Sequence, residues 1–193
     1  MATGVHKVVV NPKAGLSLSR GLAVTKASEH ITVGAADTAS GRAYAPIFVL
    51  PGTEAKYREL ADGEIETPAG YLPQGATVFY RDPAGVDSAI MLNWINSYLE
   101  ETADLWRSVK TLVVFYGYAS PLSLHLLTRL VENNMLVHVL PSHSSHNTQA
   151  LDVAVFGLMK GANKSRVSSY VNNPAIARAN FTIFTACELI ASA

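Results

Sequence analysis

The chain has 193 residues, with 15 Lys plus Arg against 15 Asp plus Glu and a mean hydropathy of +0.18, which suits one globular domain and argues against a long disordered tail. At 49% hydrophobic and 16% charged it has material for one sizeable core and no overall electrostatic pull toward nucleic acid, so any such contact must come from local patches. Its longest apolar stretches, Thr111 to Tyr116 and Val153 to Met159, fall far short of the roughly 18 residues of a membrane-spanning helix; Met1 to Val10 lacks a secretory h-region, and Cys187 is the single cysteine, so the expected setting is reducing and intracellular.

The β-branched run Val8 to Val10 predicts a first strand, stopped by Asn11 and Pro12. Glu29 to Val33 and Ala45 to Leu50 predict two further strands, joined by a turn over Gly34 to Arg42 as a hairpin. Residues 53 to 75 carry Gly63, Pro68, Gly70, Pro73 and Gly75 and read as an irregular excursion ending in a short strand, Ala76 to Tyr80. From Val86 the period changes. Ile90, Met91, Trp94, Ile95, Tyr98 and Leu99 recur at three- and four-residue spacing, which predicts an amphipathic helix ending near Asp104.

Thr111 to Tyr116 then reads as a buried strand. Leu122 to Asn133 follows as a helix with Leu126, Leu127, Leu130 and Val131 turned inward, and Met135 to Leu140 as the next strand. Strand, helix, strand in that order favours a right-handed parallel crossover, so the second half is α/β. A polar loop over Pro141 to Thr148 precedes a helix expected over Gln149 to Lys160 and another from Pro174 to the end.

Charge is uneven along this path. Ten acidic residues face three basic ones between Glu54 and Asp104, whereas Lys160, Lys164, Arg166 and Arg178 lie between Asp152 and Glu188 with no acid among them. Such a basic run either touches phosphates or is a solvated helix face, the commoner meaning.

The most specific segment is Val137 to Lys160, VHVLPSHSSHNTQALDVAVFGLMK. It resembles the closing motif of the DDE superfamily endonuclease domain of pogo-, Tigger- and jerky-like transposases. Pro141, His143, His146, Gln149, Leu151, Asp152, Val153, Phe156 and Lys160 stand at matching positions, with Ala150 where that family usually has Pro. Upstream, EHITV, GRAYAPIFVLPG, TLVVFYGYASP and ENN keep the family's order and approximate spacing.

The resemblance implies an α/β fold, an RNase H-like mixed sheet with flanking helices. It implies a single domain over residues 1–193, trimmed at its N-terminus and C-terminus and lacking the first, central strand. The family chemistry is metal-dependent phosphoryl transfer on DNA, in which three carboxylates hold two divalent ions, Mg²⁺ as a rule. Asp152 matches the third acid and so the metal ligand. Tyr116 stands where the second acid is expected, and Pro121 where the local pattern closes with histidine. A phenol with a reference pKa near 10 is no substitute for a carboxylate. The first acid belongs to a strand expected before Met1.

Three readings follow. The first is a transposase-derived domain, nuclear or otherwise intracellular, that binds DNA without cleaving it, through His143, His146, Lys160, Lys164 and Arg166, and needs no cofactor. The second is an active Mg²⁺-dependent endonuclease with a misplaced start, in which Asp87 or Asp104 replaces the acid missing near Tyr116. The third is an interaction module, a homo-oligomer or a partner of intact transposases. A zinc site at His143 and His146 lacks cysteines, a serine hydrolase lacks its Gly-x-Ser-x-Gly elbow, and His125 and His138 read as structural.

Overall fold

The structure, a computed structural model, describes residues 7–17, 30–39, 42–55, 72–73, 75–103, 110–115, 122–140 and 157–172. Six strands form one mixed sheet: β1 (Lys7–Ser17), β2 (His30–Thr38), β3 (Ile47–Leu50), β4 (Thr77–Tyr80), β5 (Thr111–Phe115) and β6 (Met135–Val139). Their spatial order is β4-β3-β2-β1-β5-β6. The β1–β2 and β2–β3 pairs are antiparallel, while β1–β5, β5–β6 and β3–β4 are parallel. Three helices are described: α1 (Ser88–Glu101), α2 (Leu124–Glu132) and α3 (Gly157–Asn172). This is the mixed α/β architecture that the sequence implies.

One expectation is corrected. The central lane is filled, because β1 lies between β2 and β5 and pairs with both. The predicted stop at Asn11–Pro12 is a register shift between Asn11 and Ala14 instead. Proline has no N–H to give a ladder, so a bulge is the form in which an interior strand can tolerate it. Beyond that bulge β1 continues beside β2, with Ala14 opposite Val33 and Ser17 opposite His30, whereas its pairing with β5 among the described residues covers Lys7 to Val10.

A second correction concerns β2, which runs on through Gly34 to Thr38 where a turn was predicted. The cause is tertiary. A Cβ on Gly34 would lie 2.7 Å from Ile47 Cγ1 and 3.4 Å from Trp94 Cζ3, so the bare backbone is what lets Trp94 of α1 seat over β2. Strand geometry continues because β1 pairs along it, Asn11 with Ala35 through Val8 with Thr38, after β3 has paired as far as Gly34 with Ile47.

Helix α1 begins at Asp87, whose Oδ1 accepts from Ile90 N at 2.9 Å, a cap that answers one of the orphan amides of the first turn. All six residues predicted to face inward are buried. They meet Ile47, Val49, Val113, Phe115, Leu126, Leu130 and Met135 in one core on one face of the sheet. Burial of each large aliphatic side chain there contributes roughly 1.5–3 kcal/mol. Thr32 Oγ1 donates to Ala84 O at 2.6 Å and ties the loop before α1 to the sheet.

At the far end of α1, Tyr98 packs edge-on to Tyr44, with ring centroids 4.9 Å apart. Burial, then the neighbouring Tyr44, pushes the Tyr98 phenol well above its ordinary value. Arg42 lies over the Tyr44 ring at 5.1 Å and within 3.8 Å of Glu101, so the approach to β3 is pinned to the end of α1.

Helix α2 is capped by Ser123, which accepts from Leu126 N at 3.2 Å. It ends at Asn133, whose side chain donates to Arg129 O at 2.7 Å, and Asn134 takes φ 61°. Asparagine adopts this left-handed conformation more readily than other L-residues. Asn134 O then receives the first amide of β5, Thr111 N, at 3.3 Å. The ENN segment thus works as a helix stop and a strand lead-in. Val131, predicted to be inward, is 66% exposed, because it lies past the flank of α2 that meets the core.

Candidate nucleic-acid interface and strand-end crevice

The chain order of the strands sets a topological switch point, where open α/β sheets form a crevice. From β1 the chain builds β2, β3 and β4 on one side, then crosses over through α1 to β5 and β6 on the other. The reversal falls between β1 and β5, which run parallel, and in open α/β sheets ligands bind outside the carboxyl ends of strands at such a point. Val10 is in register with Phe115, and Phe115 with Val139. Leu140 N donates to Phe115 O at 2.9 Å, so β6 keeps company with β5 to its end.

The next residue on the central strand is Asn11. Over its whole length, KVVVNPKAGLS, β1 carries no carboxylate. Sequence reasoning missed Asn11 because it placed the central strand before Met1; only pairing reveals its lane. Tyr116, Pro121, His143, His146 and Asp152 lie outside the described residues, as do Asp104, residues 149–156 of the helix expected over Gln149 to Lys160, and the helix expected from Pro174. Among the described residues no group of three or more His, Cys, Asp or Glu could hold a metal ion. Two divalent ions need several carboxylates between them. The described residues of β1 and β5 carry no Asp or Glu.

Asp87, the candidate replacement acid, is engaged elsewhere. It caps α1, and its Oδ2 lies 3.2 Å from Arg81 Nη1, which also approaches Gly85 O at 3.4 Å.

Lys160, Lys164 and Arg166 sit on α3, which runs to Asn172 and does not end at Lys160 as expected; Arg178 lies outside the described residues. Proline first recurs at Pro174, so nothing in the intervening sequence breaks the helix. Met159 packs with Ala35, Leu112 and Leu140 around Val114, on the sheet face opposite the main core. Counting from Met159 at 100° per residue, Asn163 and Arg166 share that sheet-facing stripe, while Lys160 and Lys164, one turn apart, share a flank. Both lysines are exposed and Arg166 is half-buried. Asn163 is 7% exposed; its Oδ1, like Arg166 Nη1, is buried without a hydrogen-bond partner among the described residues. The structure brings Lys160 and Lys164 together and turns Arg166 inward. His125 and His138, read as structural, are both exposed, one on the outer side of α2 and the other on the edge strand.

A mixed sheet with helices on it and a crevice at its strand ends places the chain among α/β proteins of the RNase H-like class. The family model described as DDE superfamily endonuclease matches residues 53–193, and the chain belongs to that family. A curated relative, MFS-type transporter clz9 of Cochliobolus lunatus, is 26% identical over 100 residues, which are 52% of this chain and 11% of that protein. The match thus spans about a tenth of that relative's length, and what its name says of transport concerns that protein. No described helix is long and apolar enough to cross a membrane. No solved structure matches the chain.

Proposed function

We propose that this chain is a transposase-derived DDE domain that holds DNA by its phosphates and does not cut it. The observation that carries this reading is the central strand: beside β5, in the lane next to the crevice, Lys7 to Ser17 offers Asn11 and no carboxylate. Tyr116 in place of the family's second acid supports it, leaving Asp152 as the single matched acid. An amide and a phenol bind Mg²⁺ too weakly at neutral pH to position an attacking oxygen. Phosphate contact falls to the exposed pair Lys160 and Lys164, with His143 and His146 of the matched motif. No base-reading element is assigned, so affinity is modest and falls steeply with salt. The setting is nuclear or otherwise intracellular.

The test is Mg²⁺- or Mn²⁺-dependent nicking of supercoiled plasmid, run beside a DNA-binding titration. The unmodified chain binds and leaves the plasmid intact. Nicking that disappears in Asp152→Ala would overturn the inactive reading. Absence of salt-sensitive binding would overturn the DNA reading. The endonuclease alternative is disfavoured by Asp87, whose two oxygens are engaged by Ile90 N and Arg81.

A further inference from the structure

Helix α3 is formed and held by weaker means than α1. Its sequence, GLMKGANKSRVSSYVN, has two Gly, two Asn and three Ser, poorer helix formers than Ala, Leu or Lys. It has no Asp or Glu, so no acid complements its first turn and none pairs with a lysine one turn away. Lys160 and Lys164, four residues apart and both exposed, repel each other instead. The inward stripe is poor as well. Where α1 buries six apolar side chains, the buried residue described on α3 is Asn163. Its Oδ1, like Nη1 of Arg166 one turn on, is buried with no hydrogen-bond partner among the described residues. Each such orphan lowers the docking equilibrium by on the order of tenfold. Against this stands the small apolar contact of Met159 with Ala35, Leu112 and Leu140 around Val114.

We infer that α3 is a detachable element that opens locally, without the rest of the sheet, and that nucleic-acid phosphates hold it closed. This coupling rests on the reading of Lys160 and Lys164 as the phosphate contacts. On the formed helix the two lysines stem from one flank, about 6 Å apart along the axis. Unwound, the same separation stretches to roughly 13 Å. A phosphate seated between the ammonium groups turns their repulsion into attraction, a gain that exists only while these residues are helical. Binding therefore favours the docked helix, and the docked helix favours binding by the same factor. Gly161 offers a lever on the helix alone, since a Cβ there meets nothing within 4 Å. Alanine fits without a clash and favours the helix about fivefold over glycine. Asn163→Leu acts on docking, because it takes an unpartnered polar group out of the buried stripe.

The experiment is amide hydrogen exchange by mass spectrometry on the full chain, free and with a short synthetic DNA duplex. In the free chain α3 exchanges about 100-fold faster than α1, as a locally opening unit does. Gly161→Ala slows α3 by about fivefold and leaves α1 unchanged, and Asn163→Leu likewise slows α3 alone. Duplex at about 100 times its Kd slows α3 by about 100-fold, the protection expected of a ligand that binds only the closed form. At the same duplex concentration Lys160→Ala with Lys164→Ala loses most of that protection. A chain that binds no DNA would fail the DNA reading and with it the coupling. Exchange in α3 as slow as in α1 before DNA is added would overturn local opening itself. Bound DNA that leaves α3 exchange unchanged would overturn the coupling while sparing the DNA reading.

Discussion

Gly34 and Tyr98 show how single positions set limits on this fold. In Gly34→Ala the new methyl meets Ile47 Cγ1 at 2.7 Å, and Ile47 is itself almost fully buried, so the clash cannot relax into solvent. Overpacking of this kind costs about 1–3 kcal/mol, to be read as a lower urea midpoint with an unchanged slope. Tyr98 limits the fold at the alkaline end. Burial and Tyr44 raise its phenol above the unfolded value near 10, so the native state holds the proton after the unfolded chain has released it. Its stabilising contribution is whole below about pH 10 and falls as pH rises beyond that. Urea midpoints from neutral pH to pH 11 fall less steeply in Tyr98→Phe than in the unmodified chain; equal slopes would show that the phenol is not linked to folding.

Helix α3 illustrates what an element adds to a list of residues. In sequence, Lys160, Lys164 and Arg166 form one basic run; on the helix they separate into an exposed flank and an inward stripe. The two therefore respond differently to substitution. Lys160→Ala with Lys164→Ala weakens DNA binding and lowers the salt slope by about 2, one unit per phosphate contact, with little change in stability. Arg166→Ala acts mainly on the fold through its half-buried side chain, and a DNA-specific defect from it alone would contradict the assignment. The buried face of helix α1 was legible to the residue, because six apolar positions at helical spacing have no competing reading. The strand β2 was less so, since Gly34 signals a turn by composition and serves here as a seat for Trp94, a contact 60 residues away in sequence.

At the scale of the whole molecule, strand order and family were legible in different ways. The parallel half, β5-α2-β6, follows from two apolar runs with a helix between them. Local signals carry no register, however, and so Asn11 could not be assigned to the lane beside β5 from sequence. The expectation of a missing central strand came from matching motifs in line; pairing in space fills the lane with a segment that lacks the acid. The crevice is thus legible as a place in the fold, while the residues expected to furnish most of its chemistry, Tyr116, His143, His146 and Asp152, were named from motif alone.

The bulge at Pro12 divides the central strand into two jobs. Ahead of it, Val8 to Val10 are laced on both sides, and among the described residues Lys7 to Val10 are the part of β1 in register with β5. Behind it, among the described residues, the strand pairs with the antiparallel half. The sheet is in effect two panels, one of hairpin-like strands and one of crossover strands, seamed along four rungs and held from above by α1. A change that loosens that seam lets the panels part without unravelling either, which makes those few backbone amides the place where the integrity of the entire sheet is decided.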